Sequence, residues 1–314
     1  MIIKAFNIWL SVSRCQRRNS FRFNSRAFDN VRLGGSRMMG TSKEPAFDQE
    51  MAIVYAKMAE NHRHPNGPWK MMTDHVIHAA KSSLHSNEFR VLDLASGPGE
   101  PAKSIALALP EAKVYSTDFS EPMVMIASKI NLPNFTTSVA DMQNLGFESN
   151  YFDVITCCYG FMFPPDKDAA LRESLRVLKP GGLLIATTWD TLPLLRLANE
   201  IMDGVLGAPS PPPPLNPMSL STPFLFETML ENNSYVEVKT IQSTYPFDMG
   251  SDAEFQFKMA TLLLKDKITE LDAWSKAKSV YLNVIDKYAS FDLTGRLIVE
   301  GNTFKLTTAK KEAK

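Results

Sequence analysis

Asp93 sits in the apolar run Val91-Leu92-Asp93-Leu94, and Ala95-Ser96-Gly97-Pro98-Gly99-Glu100-Pro101 follows at once. The pattern reads as a strand that breaks into a glycine-bearing turn and then opens a helix at Pro101. Gly97 and Gly99 lack a Cβ, so the backbone there can take tight or positive-φ geometry and approach a ligand, and proline suits the first turn of the helix beyond. Such a turn holds a nucleotide. Gly97 to Ala102 fits the G-x-G-x-x-G/A dinucleotide fingerprint, and Asp118, ending the next apolar run Val114-Tyr115-Ser116-Thr117, stands where a ribose-binding carboxylate belongs. A nicotinamide-dependent dehydrogenase is therefore one reading.

The charge of Asp93 favours another. A carboxylate just before the turn opposes a pyrophosphate but suits a ligand carrying an amino group and a sulfonium. S-adenosylmethionine is such a ligand. Its carboxylate can face the helix amino terminus after Pro101, its ribose diol can be gripped by Asp118, and Asp141 is a candidate contact for its adenine. An acid between Leu92 and Leu94 in a buried strand must be paired, since an unpaired one costs several kcal/mol. For Asp118 and Asp141 a turn or helix cap is the plainer alternative, and Phe119 and Met123 are equally well read as core.

Four stretches in register carry a resemblance: VLDLASGPG (91–99), VYSTDFSEPMV (114–124), VADMQNLGFESNYFDVITCCYGFMF (139–163) and ALRESLRVLKPGGLLIATTW (170–189). Over roughly Phe89 to Asp190 the chain resembles the class I methyltransferases, and within them the small-molecule type 11 enzymes that include the ubiquinone and menaquinone C-methyltransferases. The resemblance implies that Asp93, Ser96, Gly97 and Gly99 line the methionine end of S-adenosylmethionine. It places Asp118, Phe119 and Met123 at the ribose and adenine edge, and Asp141 with Met142 at the adenine. Ala95 and Cys158 are counted with this cofactor set. Ala95 stands where the family has glycine, and slightly altered loop geometry is expected there. The family's quinone enzymes close with a Gly- and His-rich segment that nothing between Leu220 and Lys314 matches, which turns the expectation toward a small soluble acceptor.

The acceptor side is less determined. Methyl transfer from a sulfonium is an in-line displacement from an activated donor, so positioning supplies most of the acceleration and a base is optional. Tyr159, His62 and His64 are the candidate catalytic residues, although the two histidines, in Asn61-His62-Arg63-His64-Pro65, also read as surface polar residues ahead of a turn. Tyr55, Arg63, Trp69, Phe161 and Phe163 are candidate substrate residues. Tyr159, Phe161 and Phe163 follow the fourth strand at the edge where ligands bind in such folds, and their π faces would attract a sulfonium or an acceptor that becomes cationic. A thioether acid such as a methylthio-hydroxybutyrate is a concrete acceptor, its carboxylate held by Arg63 or Lys70.

The elements that must position these residues follow from the pattern. Strands Arg90–Leu94, Lys113–Thr117, Thr136–Val139, Tyr151–Cys157 and Gly182–Thr188 alternate with helices Ala102–Leu109, Pro122–Lys129 and Asp166–Leu178, the last ended by Lys179-Pro180-Gly181-Gly182. Helices over Phe47–Ala59 and Met71–Leu84 form a cap (44–88) at the active-site mouth. Beyond Trp189 come a helix Leu194–Leu206, a proline-rich lid (208–217), helices Phe224–Glu231, Asp252–Leu264 and Leu271–Tyr288, and strands Val236–Ser243 and Phe304–Thr308. The expected fold is α/β, doubly wound, with a seven-stranded mostly parallel sheet and an antiparallel carboxyl-terminal hairpin.

Of the 314 residues, 44% are hydrophobic, enough for a full core, with a formal net charge of zero. That balance hides an asymmetry. Residues 1–43 hold nine Lys or Arg against the single acid Asp29, so the rest of the chain is acidic and has no basic, aromatic-interleaved face for nucleic acid. The 1–43 segment, rich in Arg and Ser, reads as a transit peptide, mitochondrial first and plastid second, with a cytoplasmic enzyme the outcome if it is only a basic tail. Its apolar start is too short to span a bilayer. The three cysteines, Cys15, Cys157 and Cys158, lack metal or disulfide spacing.

Overall fold

The computed structural model describes residues 48–82, 88–211 and 215–313. The transit expectation for 1–43 and the centre of the lid, 212–214, lie outside the described residues. Helix α1 (Gln49–Ala59) is opened by Asp48, whose side chain accepts from the Met51 amide, and buries Met51, Ala52, Val54 and Ala59 on one face. A 3₁₀ turn, Glu60–Arg63, leads to α2 (Pro68–Ser82). These are the two helices expected over Phe47–Ala59 and Met71–Leu84, with shifted ends.

Strands β1 (Arg90–Leu94), β2 (Lys113–Asp118), β3 (Phe135–Val139), β4 (Phe152–Cys158) and β5 (Leu178–Thr191) run parallel. Helices α3 (Ala102–Ala108), α4 (Glu121–Ala127) and α5 (Lys167–Val177) connect them. The strand order is β3-β2-β1-β4-β5, continued by two late strands, β8 (Leu297–Lys311) and then β6 (Tyr235–Asp248). The chain thus winds one way from β1 to β3 and the other from β4 to β5. Right-handed crossovers in opposite directions put their helices on opposite faces, and the reversal between β1 and β4 opens a crevice at the carboxyl ends of the strands. The buried runs of β1 and β4 explain the near-continuous apolar sequence: Leu92, Leu94, Phe152 and Ile155 are among the largest fully buried side chains.

The later chain adds α6 (Pro193–Leu206), α7 (Leu225–Asn232), β6 (Tyr235–Asp248), α8 (Ala253–Ala260), α9 (Lys265–Glu270), α10 (Trp274–Val284), β7 (Ser290–Phe291) and β8 (Leu297–Lys311). β8 lies antiparallel between β5 and β6. The sheet has eight strands rather than seven, because the two-residue β7 pairs with β8. The expected hairpin is an antiparallel pair whose members are separated by α8 to α10. Both strands also run well beyond their predicted ends, since pairing with a neighbour outweighs the weak alternation of their exposed halves. Helix α5 stops at Val177, before the Lys-Pro-Gly-Gly run, and Gly181, at φ +75°, belongs to a bulge between Leu178 and Leu183 within β5. Among the described residues, no helix is long and apolar enough to cross a membrane.

Candidate active site

Asp93 is fully buried and answered entirely by protein. Its Oδ1 accepts from Thr156 Oγ1 at 2.6 Å, and Oδ2 accepts from Ser96 Oγ at 2.5 Å and from the Ala102 amide at 3.3 Å. Burial pushes its carboxyl up to about 7, against the pull of these hydrogen bonds. The carboxylate expected to meet the sulfonium is held in place by donors from the turn, β4 and the start of α3. The residue ties together β1, the turn, β4 and the start of α3.

The turn is shaped by strained and close-packed backbone. Ala95 adopts φ 50°, so the alanine takes the left-handed conformation that glycine adopts more readily. Gly97, at φ +56°, donates its amide to Asp118 Oδ2 at 2.8 Å and lies beneath Tyr55, whose Cε1 is 3.7 Å from where a Cβ would stand. Gly99, at φ +99°, takes the positive-φ geometry expected of it. A Cβ there would meet Ile130 Cδ1 at 2.5 Å and Ala127 Cβ at 3.2 Å, so this glycine also lets the turn pack against the end of α4. Glu100, buried, accepts from Ser104 through Oε2 and from Arg63 Nη2 through Oε1 at 2.8 Å.

At the ribose edge, Asp118 Oδ1 caps the Ser120 amide at 2.8 Å, burial raises its carboxyl, and Phe119 beside it is 65% exposed. Met123 is core. Asp141 holds the following turn through the Gln143 amide at 2.9 Å, the plainer of its two readings, while Met142 reaches the β4 turn, its Cε 3.3 Å from where a Cβ of Gly160 would stand.

Where cap, β4, β5 and β6 meet, a packed aromatic cluster surrounds His62 and forms the candidate acceptor chamber. Tyr159, directly after β4, sits at φ 58°, a strained conformation for a bulky residue, held by its amide donating to Thr187 Oγ1 at 3.1 Å and by its ring stacking on Trp189 at 4.0 Å. Its hydroxyl meets Tyr245 Oη at 3.2 Å, and His62 Nδ1 lies 2.6 Å from the same Tyr245 Oη. His62 is only 3% exposed, with Trp69, Tyr159, Trp189, Tyr245 and Phe247 all within 6.0 Å of its ring. The surface reading of His62 is thus overturned. Burial drives its imidazole down to about 3, and the Tyr159 and Tyr245 hydroxyls well above the ordinary tyrosine range, so all three are neutral at physiological pH.

The other acceptor candidates divide. Trp69 walls the chamber, and Cys158 beside it is buried, with Thr187 Oγ1 donating to its sulfur at 3.6 Å and burial raising its thiol. His64 lies outside, stacked on Tyr245 at 6.2 Å with Nδ1 accepting from the Asn66 amide. Phe161 packs against Phe226 in the core and Phe163 is 40% exposed, so neither joins the chamber rings around His62. Arg63 is bound to Glu60 and Glu100, and Lys70 to Asp74, so each already has an acid partner. Trp189, Tyr245, Phe247, Thr156 and Thr187 were not singled out from sequence. Tyr245 and Phe247, alternating at the end of a late strand, were the signal available for two of them.

The switch-point crevice, the Asp118-pinned glycine turn and the strand order define the class I methyltransferase fold. Residues 91–182 match the family described as Methyltransferase domain. The chain is 38% identical over 112 residues to the ubiquinone/menaquinone biosynthesis C-methyltransferase of Burkholderia orbicola, covering 33% of this chain and 46% of that protein. It is 35% identical over 128 residues to its Neisseria gonorrhoeae counterpart, covering 40% and 50%. The chain thus spans about half the length of the curated relatives it matches. A phosphoethanolamine N-methyltransferase 2 of Haemonchus contortus, solved with phosphomonomethylethanolamine and S-adenosylhomocysteine, superposes with TM-score 0.50 at 17% identity, over 84% of this chain and 58% of that one, and bears on the fold alone. Residues 91–182 thus match a methyltransferase domain set within a class I fold, and S-adenosylmethionine is the cofactor that match implies. The nicotinamide reading is set aside.

Proposed function

We propose that this protein transfers the methyl group of S-adenosylmethionine to a small acceptor whose nucleophilic atom carries a free lone pair, a thioether acid such as a methylthio-hydroxybutyrate being the concrete case. One observation carries the reading: the chamber around His62 is aromatic and its titratable groups are neutral. An imidazole with a pKa of about 3 takes a proton only from a strong acid, so it is a poor base for a phenol or a carbon acid. A thioether or tertiary amine needs no base, and an aromatic surrounding such as the rings gathered about His62 suits an onium product. Arg63 engages its acids through Nε and Nη2, which leaves Nη1 to meet a substrate carboxylate.

A quinone-precursor carbon acceptor is the second reading, favoured by the similarity to the quinone C-methyltransferases. The methyltransferase family match covers residues 91–182, which hold the cofactor turn, while His62 and Tyr245 come from the cap and β6. The test is label transfer from S-adenosylmethionine to a panel of thioethers, tertiary amines, phenols and demethylquinones. Transfer to the thioethers or amines supports the first reading; transfer to phenols or quinones alone overturns it. Mitochondrial residence belongs to the same proposal and rests on the basic 1–43 segment.

A further inference from the structure

Asn302 lies on β8 directly across the ladder from Tyr245, and directly opposed residues of an antiparallel pair project from the same face. Tyr245 projects into the chamber beside Trp189 and Phe304. Asn302 also lies one residue past Thr303, the last β8 residue paired with β5, which puts it at the carboxyl rim of that strand. Its side chain is fully buried. The Nδ2 group donates to the Val299 carbonyl at 2.7 Å, which fixes the orientation of the amide, because only the nitrogen end can donate to a carbonyl. The other end, Oδ1, is buried and meets no donor among the described residues. A buried acceptor left unmade costs about 1–3 kcal/mol, so half of this amide serves the strand and half is held for something else.

Resting on the methyl-transfer reading above, we infer that Asn302 Oδ1 reads a hydrogen-bond donor on the acceptor, so that the preferred substrates carry a hydroxyl or N–H group a few bonds from the atom that is methylated. Sites that hydrogen-bond a substrate hydroxyl reject the analogue lacking it, because their own buried group is then left unpaired. The aromatic walls alone would not make that distinction.

The test uses the full chain loaded with S-adenosylhomocysteine and two matched pairs of probes: 4-methylthio-2-hydroxybutyrate against 4-methylthiobutyrate, and dimethylethanolamine against dimethylethylamine. Calorimetry should show the hydroxylated member of at least one pair binding tenfold or more tightly, and Asn302→Leu should erase that difference while S-adenosylhomocysteine binding is retained. Equal binding within both pairs by the natural sequence, including no binding by any probe, overturns the inference whether or not the variant folds. A hydroxyl preference that survives in folded Asn302→Leu overturns it too. Failure of the methyl-transfer reading is seen separately, as an absence of label transfer to every thioether and amine; transfer that ignores the hydroxyl leaves that reading standing and removes only this one.

Discussion

The Gly97 amide donates to Asp118 Oδ2 at 2.8 Å, so the glycine turn is pinned to the end of β2 by the carboxylate proposed to grip the donor's ribose. Asp118 Oδ1 meanwhile holds Ser120. Each oxygen keeps a further lone pair for a ribose hydroxyl. Asp118→Ala should therefore weaken S-adenosylhomocysteine binding by about 1.5–3 kcal/mol, roughly 10- to 150-fold, and also lower the unfolding midpoint. Titration calorimetry with a thermal melt reads both, and an unchanged dissociation constant would remove Asp118 from the ribose site.

His62 and Asp93 are displaced in opposite senses, His62 down to about 3 and Asp93 up to about 7. Between pH 3.8 and 6.5 the unfolded chain holds a proton on the histidine and the folded chain holds it on the aspartic acid. His62 alone makes stability fall as pH drops below 6.5, because the unfolded state binds the extra proton. Asp93 alone makes stability rise as pH drops below 7, because the folded state does. The two slopes cancel in the natural protein. His62→Gln should thus gain folding stability relative to the natural sequence by up to about tenfold in equilibrium constant per pH unit below 6.5, and Asp93→Asn should gain as pH rises from 4 to 7. Urea titrations across that range check both, and parallel pH profiles for all three proteins would refute the assignment.

The geometry of the glycine turn was legible because its parts are close in sequence. Asp93, the glycines and Asp118 fall within one strand-turn-helix-strand unit, and local pattern specifies such a unit. Ala95 misled only in that its type argued against positive φ, while the hydrogen bonds around Asp93 and Gly97 impose it. The chamber was not legible. His62 and Tyr245 are 183 residues apart, and what buries the histidine is the antiparallel pairing of β6 and β8, a non-local contact that no window of sequence contains. For Asp93 the reverse holds: its charge was plain in the sequence, but the hydroxyls of Ser96 and Thr156 that bind it were not.

Ala95 carries left-handed strain and also limits its neighbour, because a Cβ added to Gly160 would lie 2.6 Å from Ala95 Cβ and 2.6 Å from Cys157 Sγ. Ala95→Gly should stabilise the fold by roughly 0.5–1 kcal/mol, the relief of about 1–2 kcal/mol of strain less the entropy a glycine adds to the unfolded chain. Gly160→Ala should destabilise by roughly 1–3 kcal/mol through overpacking. Combining them should cost less than the sum of the single effects, because the double variant removes one of the two clashes. Denaturant midpoints decide this, and strict additivity would show that the two positions do not meet.

Residues 1–43 joined to a fluorescent protein should concentrate in mitochondria of a eukaryotic cell, and replacing Arg14, Arg17, Arg18 and Arg22 by Gln should disperse it. Plastid or diffuse fluorescence from the unmodified fusion would overturn the mitochondrial placement.

Arg63 binds Glu100 at 2.8 Å and thereby fastens the cap to the glycine turn, while Asn61 holds the cap to β6 through Asp248. The Glu100 side chain is only 5% exposed, whereas that of Arg63 is 47% exposed, so solvent screens one end of the pair. Removing the arginine leaves a buried carboxylate with Ser104 alone, which costs more than a surface pair but less than a fully buried one, about 1–2 kcal/mol. Arg63→Met should therefore loosen the cap: amides of α1 and the 3₁₀ turn should exchange faster by hydrogen-deuterium exchange, and S-adenosylhomocysteine should leave several-fold faster. Glu100→Gln should give a smaller effect in the same direction, and the double variant should resemble Arg63→Met rather than sum the two. Cap exchange as slow in Arg63→Met as in the natural protein would show that the β6 contacts alone hold the cap closed.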